Sequence, residues 1–132
     1  MTKAKIFSIT SRVYYEDTDA GGVVYHANYF KFAERARTEL LRERGWGRER
    51  TEKELGIAFY VRQAEIDYRA PAKLDDLLHT TAEILAIGNT SLTLRQVVIR
   101  DDKVLAEMKI VLVTVNAAGK PVRFPAALRS LM

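Results

Sequence analysis

Residues 28–44 read NYFKFAERARTELLRER. Tyr29, Ala33, Ala36 and Leu40 recur at i, i+4, i+7 and i+11, with Phe30, Phe32 and Leu41 beside them. That spacing puts them on one face of an α-helix, because a helix turns once every 3.6 residues. Lys31, Arg35, Thr38 and Arg42 fall on the opposite side, so the segment predicts an amphipathic helix of about four turns. Gly45 ends it, since glycine accepts the left-handed geometry that closes a helix.

Outward from this helix the chain reads mostly as β. Upstream, residues 5–15 hold Ile6, Phe7, Ile9, Val13, Tyr14 and Tyr15, the β-branched and aromatic types of a first strand. Downstream, a short helical or irregular piece runs from Arg48 to Leu55 and closes at Gly56. Ile57, Phe59 and Val61 then alternate on one parity and Ala64, Ile66 and Tyr68 on the other. A switch of parity near Arg62 and Gln63 is what a β-bulge leaves in a sequence. Residues 77–87, 91–100 and 104–115 predict three more strands, with tight turns at Gly88-Asn89 and Asp101-Asp102. The last strand is apolar on both parities from Ile110 to Val113, which predicts a central strand covered on both faces. The chain is thus α+β, one domain over residues 1–132, with a five-stranded antiparallel sheet and one long helix across it. One helix cannot cover both faces of such a sheet, so a second subunit is expected to bury the rest.

Composition narrows the classes further. Apolar residues make up 48% of the 132 and charged residues 29%, as in ordinary globular chains. No apolar run reaches the roughly 20 residues that span a bilayer. The segment MTKAKIFSIT has no signal-peptide core, and a cytoplasmic setting is expected. With no cysteine, disulfides, thiolate catalysis and cysteine-ligated zinc are excluded. The net charge of +4 suits a polyanionic partner or a mildly basic surface. The basic residues are scattered, and no nucleic-acid motif accompanies them, so no nucleic-acid partner is expected.

Chemistry concentrates in residues 17–30, DTDAGGVVYHANYF. Three readings are open. In the first, Gly21-Gly22 makes a sharp turn, Asp17 and Asp19 cap local amides, and Asn28 is the helix N-cap. In the second, Asp17, Asp19 and His26 bind a metal, which needs a further ligand the local sequence does not offer. In the third, the first helical amides, which have no partner within the helix, polarise a carbonyl while Asp19 supplies a carboxylate. A carboxylate is an anion at neutral pH, able to attack or to activate water.

The run Val13-Tyr14-Tyr15-Glu16-Asp17-Thr18-Asp19-Ala20-Gly21-Gly22-Val23-Val24-Tyr25-His26-Ala27-Asn28-Tyr29, followed by Glu34-Arg35-Ala36-Arg37, resembles the signature of hot-dog-fold acyl-CoA thioesterases. Within them it is most similar to the Tol-Pal-associated, YbgC-type group of the 4-hydroxybenzoyl-CoA thioesterase family. Tyr68-Arg69-Ala70-Pro71-Ala72, Asp75-Asp76 and Gly88-Asn89-Thr90-Ser91 extend the likeness over nearly the whole chain. The resemblance implies a hot-dog fold, subunits joined edge to edge into a dimer, and often a dimer of dimers. It implies hydrolysis of an acyl-CoA to acid and CoA, with no cofactor and no metal. Asp19 would be the catalytic carboxylate, as nucleophile or as general base, and the His26 amide would polarise the thioester carbonyl. The His26 side chain would help position substrate or water.

On this reading Asp17 is structural, holding backbone amides of the turn. Gly22, Val24 and Tyr25 would touch substrate, while Tyr15 is open to lining the pocket or to core packing. Glu34 is expected as a buried, hydrogen-bonded carboxylate. The CoA phosphates call for cations, for which Arg69, Lys73 and Arg95 are candidates against an ordinary solvated surface. Asn89, Thr90 and Ser91 are expected to contact the pantetheine arm or phosphates across the dimer. This turn lacks the basic residues that more distant relatives carry there. The competing class is a non-catalytic module that binds acyl-CoA or an acyl carrier protein.

Overall fold

In the computed structural model, which describes residues 5–131, the long helix α1 spans Asn28–Glu43. The ends of the domain expected over 1–132 lie outside the described residues. The predicted stripe is the buried one: Tyr29, Ala33, Ala36 and Leu40 are buried together with Phe32. Sealing side chains such as Phe32 and Leu40 contributes about 1.5–3 kcal/mol each. A second helix, α2 (Arg48–Leu55), ends at Gly56, whose positive φ of 63° closes it.

The strands are β1 (Phe7–Arg12), β2 (Ala58–Tyr68), β3 (Leu77–Ile87), β4 (Ser91–Arg100) and β5 (Lys103–Val115). They form one antiparallel sheet in the order β1-β3-β4-β5-β2. With α1 against one face, this is the hot-dog fold. The first strand is shorter than residues 5–15, because Val13 is pulled aside by bonds to Asp75 and Asp76 and the chain then coils through Tyr15–Asp17. The bulge predicted near Arg62 is present: Val61 pairs with Leu112 and Gln63 with Val111, leaving Arg62 as the extra residue. At the β4–β5 turn Asp101 and Asp102 both have positive φ, 49° and 65°, the geometry of a tight hairpin.

β5 is internal but not central, since β4 holds the middle of the sheet. Ile110, Val111 and Leu112 are all buried, as their unbroken apolar run predicts. Toward Lys103 the outward parity turns polar, with Glu107 and Lys109. Among the described residues no helix is long and apolar enough to cross a membrane.

The sheet has two distinct ends. At one, Arg12, Asp76 and Leu77 meet the loop that leads into α1, and Tyr68 closes β2. At the other lie the β3–β4 turn, the end of β5 and the start of β2. Eleven strand residues separate the two ends of β3, which at 3.3 Å each is about 35 Å.

Candidate active site

The segment between β1 and α1 is a small hairpin. Thr18 pairs with Val24, the Asp19 amide donates to the Val23 carbonyl (2.9 Å), and the Gly22 amide donates to the Asp19 carbonyl (3.0 Å). Gly22 sits at φ +82°, a conformation that penalises any Cβ. The Tyr25 amide returns to the Asp17 carbonyl (2.9 Å), which brings the chain to the start of α1.

The two aspartates divide at this point. Asp17 is 7% exposed; its Oδ2 accepts from the Tyr14 amide (2.9 Å) and its Oδ1 from Asn28 Nδ2 (3.0 Å). Both carboxylate oxygens are committed to structure, as expected of this residue. Asp19 is exposed, and among the described residues its carboxylate takes one bond, from the Gly21 amide to Oδ1 (2.8 Å), so Oδ2 is uncommitted there. Among the described residues no three acidic or histidine side chains group as a metal site would need.

The helix start opposite them has donors to spare. The Asn28 amide bonds the Tyr25 carbonyl (2.8 Å) and the Phe30 amide the Ala27 carbonyl (3.2 Å), but the His26 and Ala27 amides reach no acceptor among the described residues. No acidic side chain occupies the first turn of α1 to offset the positive end of the helix dipole. Asn28 is not the N-cap as the first of the three sequence readings has it. Ala27 caps, and Asn28 is the first helical residue, its side chain turned back to Asp17. His26 is exposed, its ring 4.5 Å from that of Tyr25.

The loop after β2 braces this hairpin. Val24 donates to the Ala72 carbonyl (2.9 Å), Val23 bridges to Lys73, and the Ala72 amide donates to the Tyr29 hydroxyl (3.1 Å). Asp76 Oδ2 accepts from the Lys73 amide (2.8 Å) and from Arg100 Nη1 (2.6 Å). Burial pushes the Asp76 carboxyl up, yet those two donors outweigh it and hold the group below its ordinary range.

The remaining candidates scatter. Gly22, Val24 and Tyr25 lie in the hairpin, with Val24 buried in the core and Tyr25 exposed. Tyr15 is 82% exposed, so core packing is excluded for it. Glu34 is exposed as well, contrary to the buried carboxylate expected from the helix pattern. Of the three basic candidates Lys73 adjoins the hairpin, with its side chain open to solvent. Arg69 and Arg95 point elsewhere: both bond Glu107 (2.5 and 2.7 Å) in an ion-pair cluster that includes Asp67. The Arg95 bond leads in holding the Glu107 carboxyl below its ordinary range. Asn89, Thr90 and Ser91 occupy the far end of the sheet, where the Asn89 and Thr90 carbonyls accept from the Phe124 and Thr114 amides. They cannot reach the Asp19 hairpin of their own chain.

Near that far end a cavity of about 370 Å³ opens between α1 and β2. Leu41, Trp46, Ile57, Phe59 and Leu112 supply apolar walls, and Arg37 a partly buried cation. Burial lowers the Arg37 pKa although Glu34 opposes the effect.

Sequence reasoning assigned no role to Tyr68, whose hydroxyl donates to the His26 carbonyl at 2.6 Å. The two residues are 42 positions apart, and only the sheet that ends beside the helix start brings them together.

A carboxylate with one oxygen uncommitted among the described residues, in the turn that leads to a helix start whose amides find no acceptor there, is an arrangement suited to acyl transfer, mounted here on a hot-dog sheet. A family model described as the thioesterase-like superfamily matches residues 13–131. The chain belongs to that superfamily and, within it, to the YbgC-type group. It is 43% identical over 120 residues to the acyl-CoA thioesterase YbgC of Haemophilus influenzae, covering 90% of this chain and 88% of that protein. It is 45% identical over 112 residues to the acyl-CoA thioester hydrolase YbgC of Escherichia coli O6:H1, covering 84% and 83%. A crystal structure of a probable thioesterase from Bartonella henselae matches with a TM-score of 0.87 at 33% identity, over 92% of this chain and 100% of that one.

Proposed function

We propose that this chain hydrolyses acyl-CoA thioesters to a free carboxylic acid and CoA, with Asp19 as the reacting carboxylate. The observation that carries the reading is that one short hairpin joins the Asp19 carboxylate, with an oxygen uncommitted among the described residues, to the His26 amide at the start of α1, which finds no acceptor among them. The thioester carbonyl oxygen would accept from that amide, where charge develops as the carbon becomes tetrahedral. Asp19 then either attacks the carbon or takes a proton from an attacking water. In the first route the C–S bond breaks, CoA leaves as a thiolate that is protonated by water, and water cleaves the resulting mixed anhydride. In the second, hydroxide adds directly and the same C–S bond breaks. A thiolate leaves readily, so neither route requires a strong general acid.

The working unit in this reading is a dimer joined along β2. That strand is an edge eleven residues long, with Tyr60, Val61 and Tyr68 about half exposed along it. Such an edge is a template for another strand unless it is covered. Antiparallel pairing about a two-fold axis would bring the Ala58 end of one chain to the Tyr68 end of the other. The 370 Å³ cavity and the Asn89–Ser91 turn of one subunit would then lie near the Asp19 hairpin of its neighbour, to hold the acyl group and part of CoA. Lys73, beside the hairpin, is the favoured cation for a CoA phosphate.

The test is thiol release across short aliphatic, long aliphatic and aromatic acyl-CoAs. Asp19→Asn is expected to reduce turnover at least about a thousandfold with the fold intact. Near-wild-type rates in that variant would remove Asp19 from the mechanism. Tight binding of acyl-CoA without thiol release by the unaltered protein would leave a binding module.

A further inference from the structure

Tyr68 is the last residue of β2, paired with Ala106 on β5. Immediately after it the Arg69 and Ala70 amides both donate to the Leu105 carbonyl (2.8 and 3.1 Å), so the chain is anchored on each side. The Tyr68 ring stands edge-on to Tyr29, with centroids 5.4 Å apart and planes at 75°, a favourable aromatic geometry. Tyr29 in turn is core and accepts from the Ala72 amide. The Tyr68 side chain is thus aimed by the sheet on one side and by α1 on the other.

Its hydroxyl donates to the His26 carbonyl at 2.6 Å, at the short end for an O–H···O bond. Within a helix that carbonyl would serve the residue-30 amide, but Phe30 bonds Ala27 instead, which leaves the His26 oxygen to Tyr68. The same peptide unit carries the Ala27 N–H, an amide without an acceptor among the described residues. A hydrogen bond at the carbonyl end of a peptide polarises it and makes its N–H a better donor. It also fixes the rotation of the peptide plane, and so the direction in which the amide points. Burial, with Tyr29 adding to it, raises the phenol pKa, so Tyr68 stays protonated and a donor throughout the neutral range.

We propose that Tyr68 is a positioning residue for thioester hydrolysis: through the His26 carbonyl it holds and polarises the helix-start peptide so that the Ala27 amide joins the His26 amide as a second donor to the substrate carbonyl. This rests on the hydrolase reading above. Tyr68 itself touches neither the substrate carbon nor Asp19.

A purely structural hydroxyl would affect stability alone, so the test reads the carbonyl. Tyr68→Phe deletes the hydroxyl and keeps the ring on Tyr29. The expected result is a fall in kcat of about tenfold at a KM within twofold of the unaltered protein. Independently, an acyl-CoA carrying ¹³C at the thioester carbonyl is bound to Asp19→Asn and to Asp19→Asn/Tyr68→Phe, and its infrared band is compared with that of free acyl-CoA. The proposal requires a band lowered in frequency in the single variant and returned toward the free position in the double variant. The same band in both overturns it, as does an unchanged kcat in Tyr68→Phe when the unaltered protein is active. If the unaltered protein releases no thiol, the hydrolase reading fails first. Should Tyr68→Phe lower kcat only by lowering the folded fraction, the band of the folded, ligand-bound protein is unchanged and the positioning role falls.

Discussion

Asp17 Oδ1 accepts a 3.0 Å bond from Asn28 Nδ2, tying the turn before α1 to the first residue of the helix. With its other oxygen on the Tyr14 amide, Asp17 is buried and spent. The bond therefore separates the two carboxylates of one Asp-Thr-Asp run into a buried strut, Asp17, and an exposed group, Asp19, with one local bond.

That separation predicts opposite outcomes for two neighbouring substitutions. Asp17→Ala leaves the Tyr14 amide and the Asn28 side chain without their acceptors, and should cost about 2–4 kcal/mol of stability. Asp19→Asn, at an exposed site with one local bond, should stay within about 0.5 kcal/mol while losing turnover. Urea unfolding of both variants beside their thiol-release rates checks this. Equal stability losses would mean the two carboxylates are not divided in this way.

Gly21 and Gly22 are adjacent but constrained for different reasons. A Cβ on Gly21 would stand 3.2 Å from Asp19 Oδ1, whereas at Gly22 nothing lies within 4 Å and the obstacle is the φ of +82°. Gly21→Ala should thus displace the carboxylate and slow turnover about tenfold, with stability nearly unchanged. Gly22→Ala should cost about 1–2 kcal/mol in backbone strain. Melting temperature and rate, measured on both, are expected to respond in opposite proportion.

The fold was legible because its signals are local and periodic. The α1 stripe from Tyr29 to Leu40 needs only the 3.6-residue repeat, and the parity switch near Arg62 and Gln63 marked where the bulge lies. Asp17 and Asp19 were told apart by resemblance, and the physical reason, Asn28, lies eleven residues from Asp17 in the chain. Tyr68 entered only as one position of a family-like run with no role attached, because an aromatic residue ending a strand reads as ordinary β packing. The ion pairs of Arg69 and Arg95 were illegible for a related reason. A guanidinium's partner is set by strand register, and the register places Glu107 opposite Val97 and Asp67, within reach of both arginines. Charge alone, read along the sequence, does not reveal that pairing.

The β2 edge yields a prediction about assembly. If two chains join along it, a charge placed mid-edge must be desolvated or must break the pairing. Val61→Lys and Tyr60→Lys are expected to shift the protein from dimer or larger toward monomer in sedimentation velocity, and to lower turnover with it. A protein that sediments as a monomer before any substitution would rule out the shared sheet.

The brace behind the hairpin should be sensitive to acid. Asp76 is about one-fifth exposed, and its carboxyl is held below the ordinary range by the Lys73 amide and Arg100. A carboxyl with a lowered folded pKa contributes stability that is fully present above its unfolded value, about 3.9. The contribution disappears as pH falls through the folded value, because the unfolded chain takes up the proton first. Asp76→Asn should therefore destabilise the protein by about 1–3 kcal/mol at pH 6. The gap between it and the unaltered protein should narrow as pH drops from about 5 toward 3. Since the Lys73 amide bonds this carboxylate and Ala72 bonds Val24, the same variant should loosen the hairpin and raise KM. A stability gap that stays constant across this range would show that Asp76 acts by shape and not by charge.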